Sequence, residues 1–133
     1  MKLVSGVYLE PADSRNFAGE AHVARLPVIE GPEAGPGGGT VIVYLVEFEP
    51  GARTNWHRHS APQVLLVKEG RGLVQKWGEP VRQIGAGDAV TIEPNEKHWH
   101  GAVPETRMTH FAVNLNLTTE WLEPVSDDQY RAS

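Results

Sequence analysis

Apolar residues along this chain come in short blocks cut by Gly, Pro, Asn and Asp, with no sustained heptad or helical spacing. The clearest block is Val41 to Phe48 (VIVYLVEF), β-branched and aromatic, which reads as a buried strand ended by Pro50-Gly51. A short strand is expected around Thr54 to His59, then a Ser-Ala-Pro turn and a strand from Gln63 to Lys68. Glu69 to Gly72 reads as a turn into Leu73 to Trp77, followed by Val81 to Ile84, Ala89 to Ile92, His98 to Ala102 and a long strand from Arg107 to Leu117. Many short strands bounded by turn residues predict an all-β antiparallel sandwich or barrel. The tail, Glu120 to Tyr130, is the one place where a short helix or helical turn is expected.

The first 30 residues are mixed, and read as edge strands or an arm packing on a neighbour. Gly31 to Gly39 (GPEAGPGGG) excludes helix and central strand; it reads as a loop, with a lid over a site as the alternative. The expected organisation is one domain over residues 1–133, with a barrel core at about 40–118.

Composition narrows the chemistry. The 14 Gly and 10 Pro suit a strand-and-turn fold. With 17 acidic against 12 basic residues and no Lys/Arg cluster, a nucleic-acid partner is not expected. The absence of cysteine removes disulfides, thiolate metal sites and thiol nucleophiles. No apolar stretch suits a signal peptide or a membrane span, so a cytoplasmic, soluble protein is expected.

Five of the six histidines remain to be explained: His57, His59, His98, His100 and His110. On a strand, side chains two apart share a face, so His57 and His59 point the same way about 7 Å apart. Two imidazoles so placed can converge on one ion. Gln63, just past the Ser-Ala-Pro turn, can return its amide oxygen to the same point, and His98 can arrive from another strand of a closed barrel. His22 stands alone and reads as a surface residue.

The segment Gly51-Ala-Arg-Thr-Asn-Trp-His57-Arg-His59-Ser-Ala-Pro-Gln63, with Gly70 seven residues on, resembles the first motif of the cupin superfamily: Gly, five residues, His-x-His, three or four residues, Glu, six residues, Gly. Gly87-Asp-Ala-Val-Thr-Ile-Glu93-Pro94-Asn95-Glu96-Lys97-His98 resembles the second, with Glu93 where the motif has Pro and Asn95 where it has Gly. Asn tolerates a left-handed backbone, so the turn is expected to survive. Gln63 in place of Glu makes every expected ligand neutral. A bound divalent ion then keeps its full charge, which strengthens Lewis acidity, draws anions and disfavours oxidised iron.

Within that superfamily, residues 40 to 130 are similar to small bacterial cupins that include manganese-dependent hydroxynitrile lyases and the cupin partners of carboxymuconolactone-decarboxylase-like proteins. The shared stretches are Glu49 to His57, Asn95 to Ala102, Met108-Thr-His110 and the Ser126 to Tyr130 ending. The resemblance implies a single-domain cupin-type jelly-roll barrel and one divalent metal ion held by His57, His59, Gln63 and His98. Manganese is favoured, with iron, nickel or zinc as alternatives. It places His100 and His110 in the pocket as proton-transfer groups and Thr54 in the pocket wall; His100, two residues after His98 and so on the same face of an extended strand, is expected to border the metal without binding it. Tyr44, on the strand before His57, is a further candidate for the wall. The implied function is a lyase acting on a small molecule, cyanohydrin cleavage in its sharpest form. An iron-dependent dioxygenase and a non-catalytic metal-binding protein are the alternatives, and a homodimer or homotetramer is the implied assembly.

Overall fold

A computed structural model of the chain describes residue 1 and residues 3–26, 29–30, 39–115 and 117–132. The Gly31 to Gly39 run, apart from Gly39, lies outside the described residues. In chain order the first strands are β1 (Glu10–Pro11), β2 (Phe17–Ala18), β3 (Ala21–Arg25), β4 (Ile29–Glu30) and β5 (Thr40–Phe48). Next come β6 (Arg53–Thr54), β7 (His57–His59), β8 (Gln63–Lys76), β9 (Arg82–Gly85) and β10 (Ala89–Ile92). The chain ends with β11 (His98–Ala102), β12 (Met108–Leu115), β13 (Thr119–Trp121) and the helix α1 (Asp127–Arg131). Among the described residues no helix is long and apolar enough to cross a membrane.

The strands curl into a jelly-roll barrel whose main path runs β1-β3-β5-β12-β8-β11-β6-β2, antiparallel throughout. Its backbone is β8, which corrects one expectation from the sequence. Residues 69–72 do not turn; β8 runs on for 14 residues and serves both halves of the barrel. Its first part pairs with β12 and β10, its second with β11 and β9. The pairing with β12 slips by one residue at Lys68, a bulge two residues before Gly70. Gly70 sits at φ 78°, and a Cβ there would collide with the Arg107 carbonyl. The glycines that resemble turn punctuation are therefore sites of close backbone approach inside a strand.

Alternation along the strands sets two faces. Register places Phe48, Val46, Tyr44 and Ile42 of β5 beside Met108, His110, Ala112 and Asn114 of β12, all facing inward. At the closed end Phe48 and Met108 are fully buried with Ala52, Val67, Val74 and Ala102. Burying a side chain of that size contributes about 2–3 kcal/mol. At the other end the inward face stays open and becomes a cavity.

The outer face of the second half is covered by the chain's own C-terminus. Trp99 and Leu73 point outward from β11 and β8 and lie under Val125 and Tyr130. Tyr130 donates from its hydroxyl to the Ala102 carbonyl at 2.6 Å, and the Arg53 guanidinium lies 4.4 Å from its ring centre. Helix α1 starts with a capping box between Ser126 and Gln129, and Gln129 also accepts from the Trp56 indole. The expected C-terminal helix is thus a clamp that holds Arg53 through Asp127 at 2.9 Å.

Gly70→Ala is expected to destabilise the protein by at least about 2 kcal/mol, because a left-handed backbone and a collision with backbone coincide there. Gly78→Ala is the comparison: it has the same backbone hand but open space around it. Urea unfolding should show the larger loss at Gly70.

Candidate metal centre and its cavity

β7 presents His57 and His59 inward while Arg58 between them is exposed, as strand alternation requires. β11 brings His98 opposite His57 in register, and their ring centres are 4.2 Å apart. The His59 ring is 5.0 Å from His57 and 5.2 Å from His98. Gln63, at the first position of β8, lies against His59. The four side chains named from the sequence are neighbours and all are buried, but the ligand atoms that lie within 4.8 Å of one another are those of His57, His98 and His100, without His59.

Each has one polar atom anchored and one left over. His57 Nδ1 donates to the Asn55 carbonyl at 2.8 Å, and His98 Nδ1 to the Glu96 carbonyl at 2.7 Å. Since a carbonyl can only accept, these bonds put the proton on Nδ1 and leave a lone pair on Nε2. His59 Nδ1 bonds Thr119 Oγ1 at 3.0 Å, and the Gln63 amide nitrogen donates to Asn114 Oδ1 at 2.7 Å. Among the described residues, His59 Nε2, His98 Nε2 and Gln63 Oε1 are buried with no hydrogen-bond partner. Buried acceptors without partners are costly, and a divalent cation would supply the missing partner.

His100 complicates the picture. Ligand-capable nitrogens of His57, His98 and His100 all lie within 4.8 Å of one another, so His100 is close enough to join the donor set. Sequence reasoning places it at the border without binding. Its Nδ1, however, is 3.0 Å from His110 Nε2, and its own Nε2 has no partner. The two rings thus form a hydrogen-bonded pair beside the ligand cluster, packed against Phe48 at the floor.

No carboxylate is among these groups, and burial governs their titration. Desolvation first, then His98, lowers His57 well below its usual range. Burial and then His110 do the same to His100. His59, His98 and His110 are each pushed down to about 4, burial being the largest cause in every case. The cluster is therefore neutral at pH 7, the state in which imidazole binds metal.

The site opens into a cavity of about 470 Å³. His57, His59, Gln63, His100 and His110 form its floor, with Thr54 and Tyr44 in the wall. Thr54 Oγ1 accepts from the His100 backbone N–H at 3.3 Å. Val23, Ile42, Val46 and Ala112 supply apolar lining, and Arg25, Glu10 and Asp13 lie at the wall as well. Asn95, standing where the second motif has Gly, takes φ 65°, so the left-handed turn before His98 is kept.

Two residues escaped notice in the sequence. Asn114 orients the Gln63 amide, and its only signal was a place on the His110 face of β12. Trp121 on β13 lies with its ring centre 4.6 Å from that of His57. Its signal was absent, because β13 pairs with β7 only through tertiary folding. Trp77 is half exposed, with its ring centre 4.8 Å from that of Trp56 and Lys97 3.6 Å over its ring.

The fold and the site define a class. The chain matches the Cupin domain family over residues 44–114, and it belongs to that family. It is 51% identical over 89 residues to (R)-mandelonitrile lyase of Granulicella tundricola, covering 65% of this chain and 68% of that protein. It is 37% identical over 78 residues to dimethylsulfoniopropionate lyase of Ruegeria pomeroyi, covering 59% of this chain and 49% of that protein. The chain thus spans about half the length of the second relative. Among solved structures, a cupin-like protein of Thermotoga maritima superposes with a TM-score of 0.81 at 38% identity, covering 91% of this chain and 90% of that one.

Two outcomes are expected. Asn114→Leu should weaken divalent-metal affinity by about 10- to 100-fold, the usual cost of losing a supporting bond to a ligand, while Asn114→Asp, still an acceptor, should retain it. Competition with a chromophoric chelator measures both. The metal-free protein should also lose stability on acidification from about pH 6.5 to pH 4. Folded-state values below the unfolded imidazole value mean that the unfolded chain takes up protons first, so stability falls as pH falls through that window. Melting temperature against pH, with and without added manganese, checks the sign.

Proposed function

We propose that this cupin is a metal-dependent lyase of small oxygenated compounds, with reversible cyanohydrin cleavage as its reaction. The observation that carries this reading is the His100–His110 pair, held at 3.0 Å on a cavity floor shared with His57, His59 and Gln63, with His98 packed against His57. The likeness to (R)-mandelonitrile lyase supports it.

A divalent cation held by His57, His59, Gln63 and His98 would supply Lewis acidity toward a substrate oxygen or a departing anion, undiminished by any charged ligand. The chain's own residues do the rest. Tyr44, Ile42, Val46 and Ala112 enclose the substrate's apolar body and keep bulk water from the floor. With the shared proton on His100 Nδ1 and donated to His110 Nε2, His100 Nε2 carries a lone pair. It accepts the substrate's hydroxyl proton; the C–O bond becomes a carbonyl as the bond to the nitrile carbon breaks and its electron pair leaves with cyanide. The protonated His100, acidified by burial and steadied by His110, then passes the proton to cyanide, giving aldehyde and hydrogen cyanide. Thr54, bonded to the His100 backbone, fixes the height of that ring in the cavity.

Base and ligand are exclusive roles for His100 Nε2, and the variants separate them. His57→Ala should lose the metal. His100→Ala and His110→Ala should each keep it yet lose about 100-fold or more in benzaldehyde release from mandelonitrile at acidic pH, the usual range for a general base. If manganese-loaded protein releases no benzaldehyde above the metal-free control, the cyanohydrin reading is wrong. Oxygen uptake by the iron-loaded protein that a zinc-loaded sample cannot match would instead favour a dioxygenase.

A further inference from the structure

One cation of the cavity wall has no counterpart. Arg25 stands directly opposite Tyr44 across β3 and β5, and Tyr44 stands opposite Ala112 of β12, so the three form one inward row. That row lies between the row of Val46 and His110 and the row of Ile42 and Asn114. Arg25 is therefore level with the reacting end of β12 but two strands away, about 10 Å around the curled sheet at the usual strand spacing. The residue lines the cavity and is exposed, and among the described residues no hydrogen bond or ion pair engages its guanidinium.

Two carboxylates share the rim. Asp13 is already engaged, since Arg15 donates to it from Nε at 3.0 Å and from Nη2 at 2.7 Å. Glu10 faces Val23 from the two-residue strand β1, diagonal to Arg25 and one strand further from the floor. Between Arg25 and the floor the wall is apolar, with Val23, Val46 and Ala112. The chamber thus offers polar groups at its two ends and an apolar stretch between them.

We propose that the cavity selects substrates that carry a carboxylate at the end remote from the histidine cluster, and that Arg25 holds it. A guanidinium is always charged, and its planar fork matches both oxygens of a carboxylate. A ring or short chain spans the apolar stretch and delivers the other end to the floor. On the cyanohydrin reading, on which this substrate class rests for its reacting end, the substrate is the cyanohydrin of an aldehyde that bears a carboxylate. Arg25 stays clear of the reacting atoms and sets which molecules are held there.

Calorimetric titration of the manganese-loaded protein tests this with two ligands of one shape. Terephthalate has a carboxylate for each end of the chamber, and monomethyl terephthalate has an ester at one of them. The wild type should prefer terephthalate by about fivefold beyond the roughly twofold that its two equivalent ends give, the upper range for an ion pair still in contact with water. Arg25→Gln should remove the excess, Arg25→Lys should keep part of it, and Arg25→Glu should reverse it. No excess in the wild type, or an excess that survives Arg25→Gln, overturns the assignment. So does tighter binding of 4-(aminomethyl)benzoate than of terephthalate that Glu10→Gln abolishes, which would give the mouth to a cation. Benzaldehyde release tests the reaction and these titrations test the mouth, so each reading can fail alone.

Discussion

Everything at the centre of this molecule depends on how its imidazoles are tethered. His57 and His98 each donate Nδ1–H to the carbonyl two residues earlier, Asn55 and Glu96, just before their strands begin. That local bond chooses the tautomer, fixes the ring and aims Nε2 inward, before any ion or substrate arrives. Strand pairing then needs only to bring β11 beside β7 for the two aimed nitrogens to meet. Preorganisation at this site is therefore largely backbone chemistry, and the metal finds donors that have already given up their other options.

Such a cluster works against the fold when it is empty. Five buried imidazoles in contact resist protonation, and several acceptors have no partner within the protein. Stability and function are opposed here, and a cation relieves both the unmet acceptors and the sensitivity to acid. The neutral donor set tilts the balance further: nothing in the first layer cancels the ion's charge, so its pull on an oxygen or an anion is not shared with a carboxylate.

Much of this was legible in the sequence because it is written locally. Strand alternation gave His57 and His59 one face, and the flanking Gly and Pro positions marked where strands stop. Asn95 was readable as a stand-in for Gly because it is the residue that best tolerates the backbone it adopts, φ 65°. What could not be read lies in the pairing of distant strands. Gly70 looked like a turn residue, since a left-handed glycine inside a bulged strand and one in a hairpin have the same local signature. Asn114 and Trp121 matter only through partners 51 and 64 positions away, Gln63 and His57. The two-residue spacing puts His100 on the same face as His98, but its closeness to His57 comes from the pairing of β11 with β7.

The barrel distributes chemistry unevenly among its strands. Most donors and proton carriers come from β7 and β11, joined by Gln63 of β8 and His110 of β12, whereas Ile42 and Tyr44 of β5 and Ala112 of β12 line the walls. Reactivity and selectivity are thus addressed largely by different strands. A lineage, or an engineer, can recut the chamber for a new guest while leaving the machinery beneath it untouched.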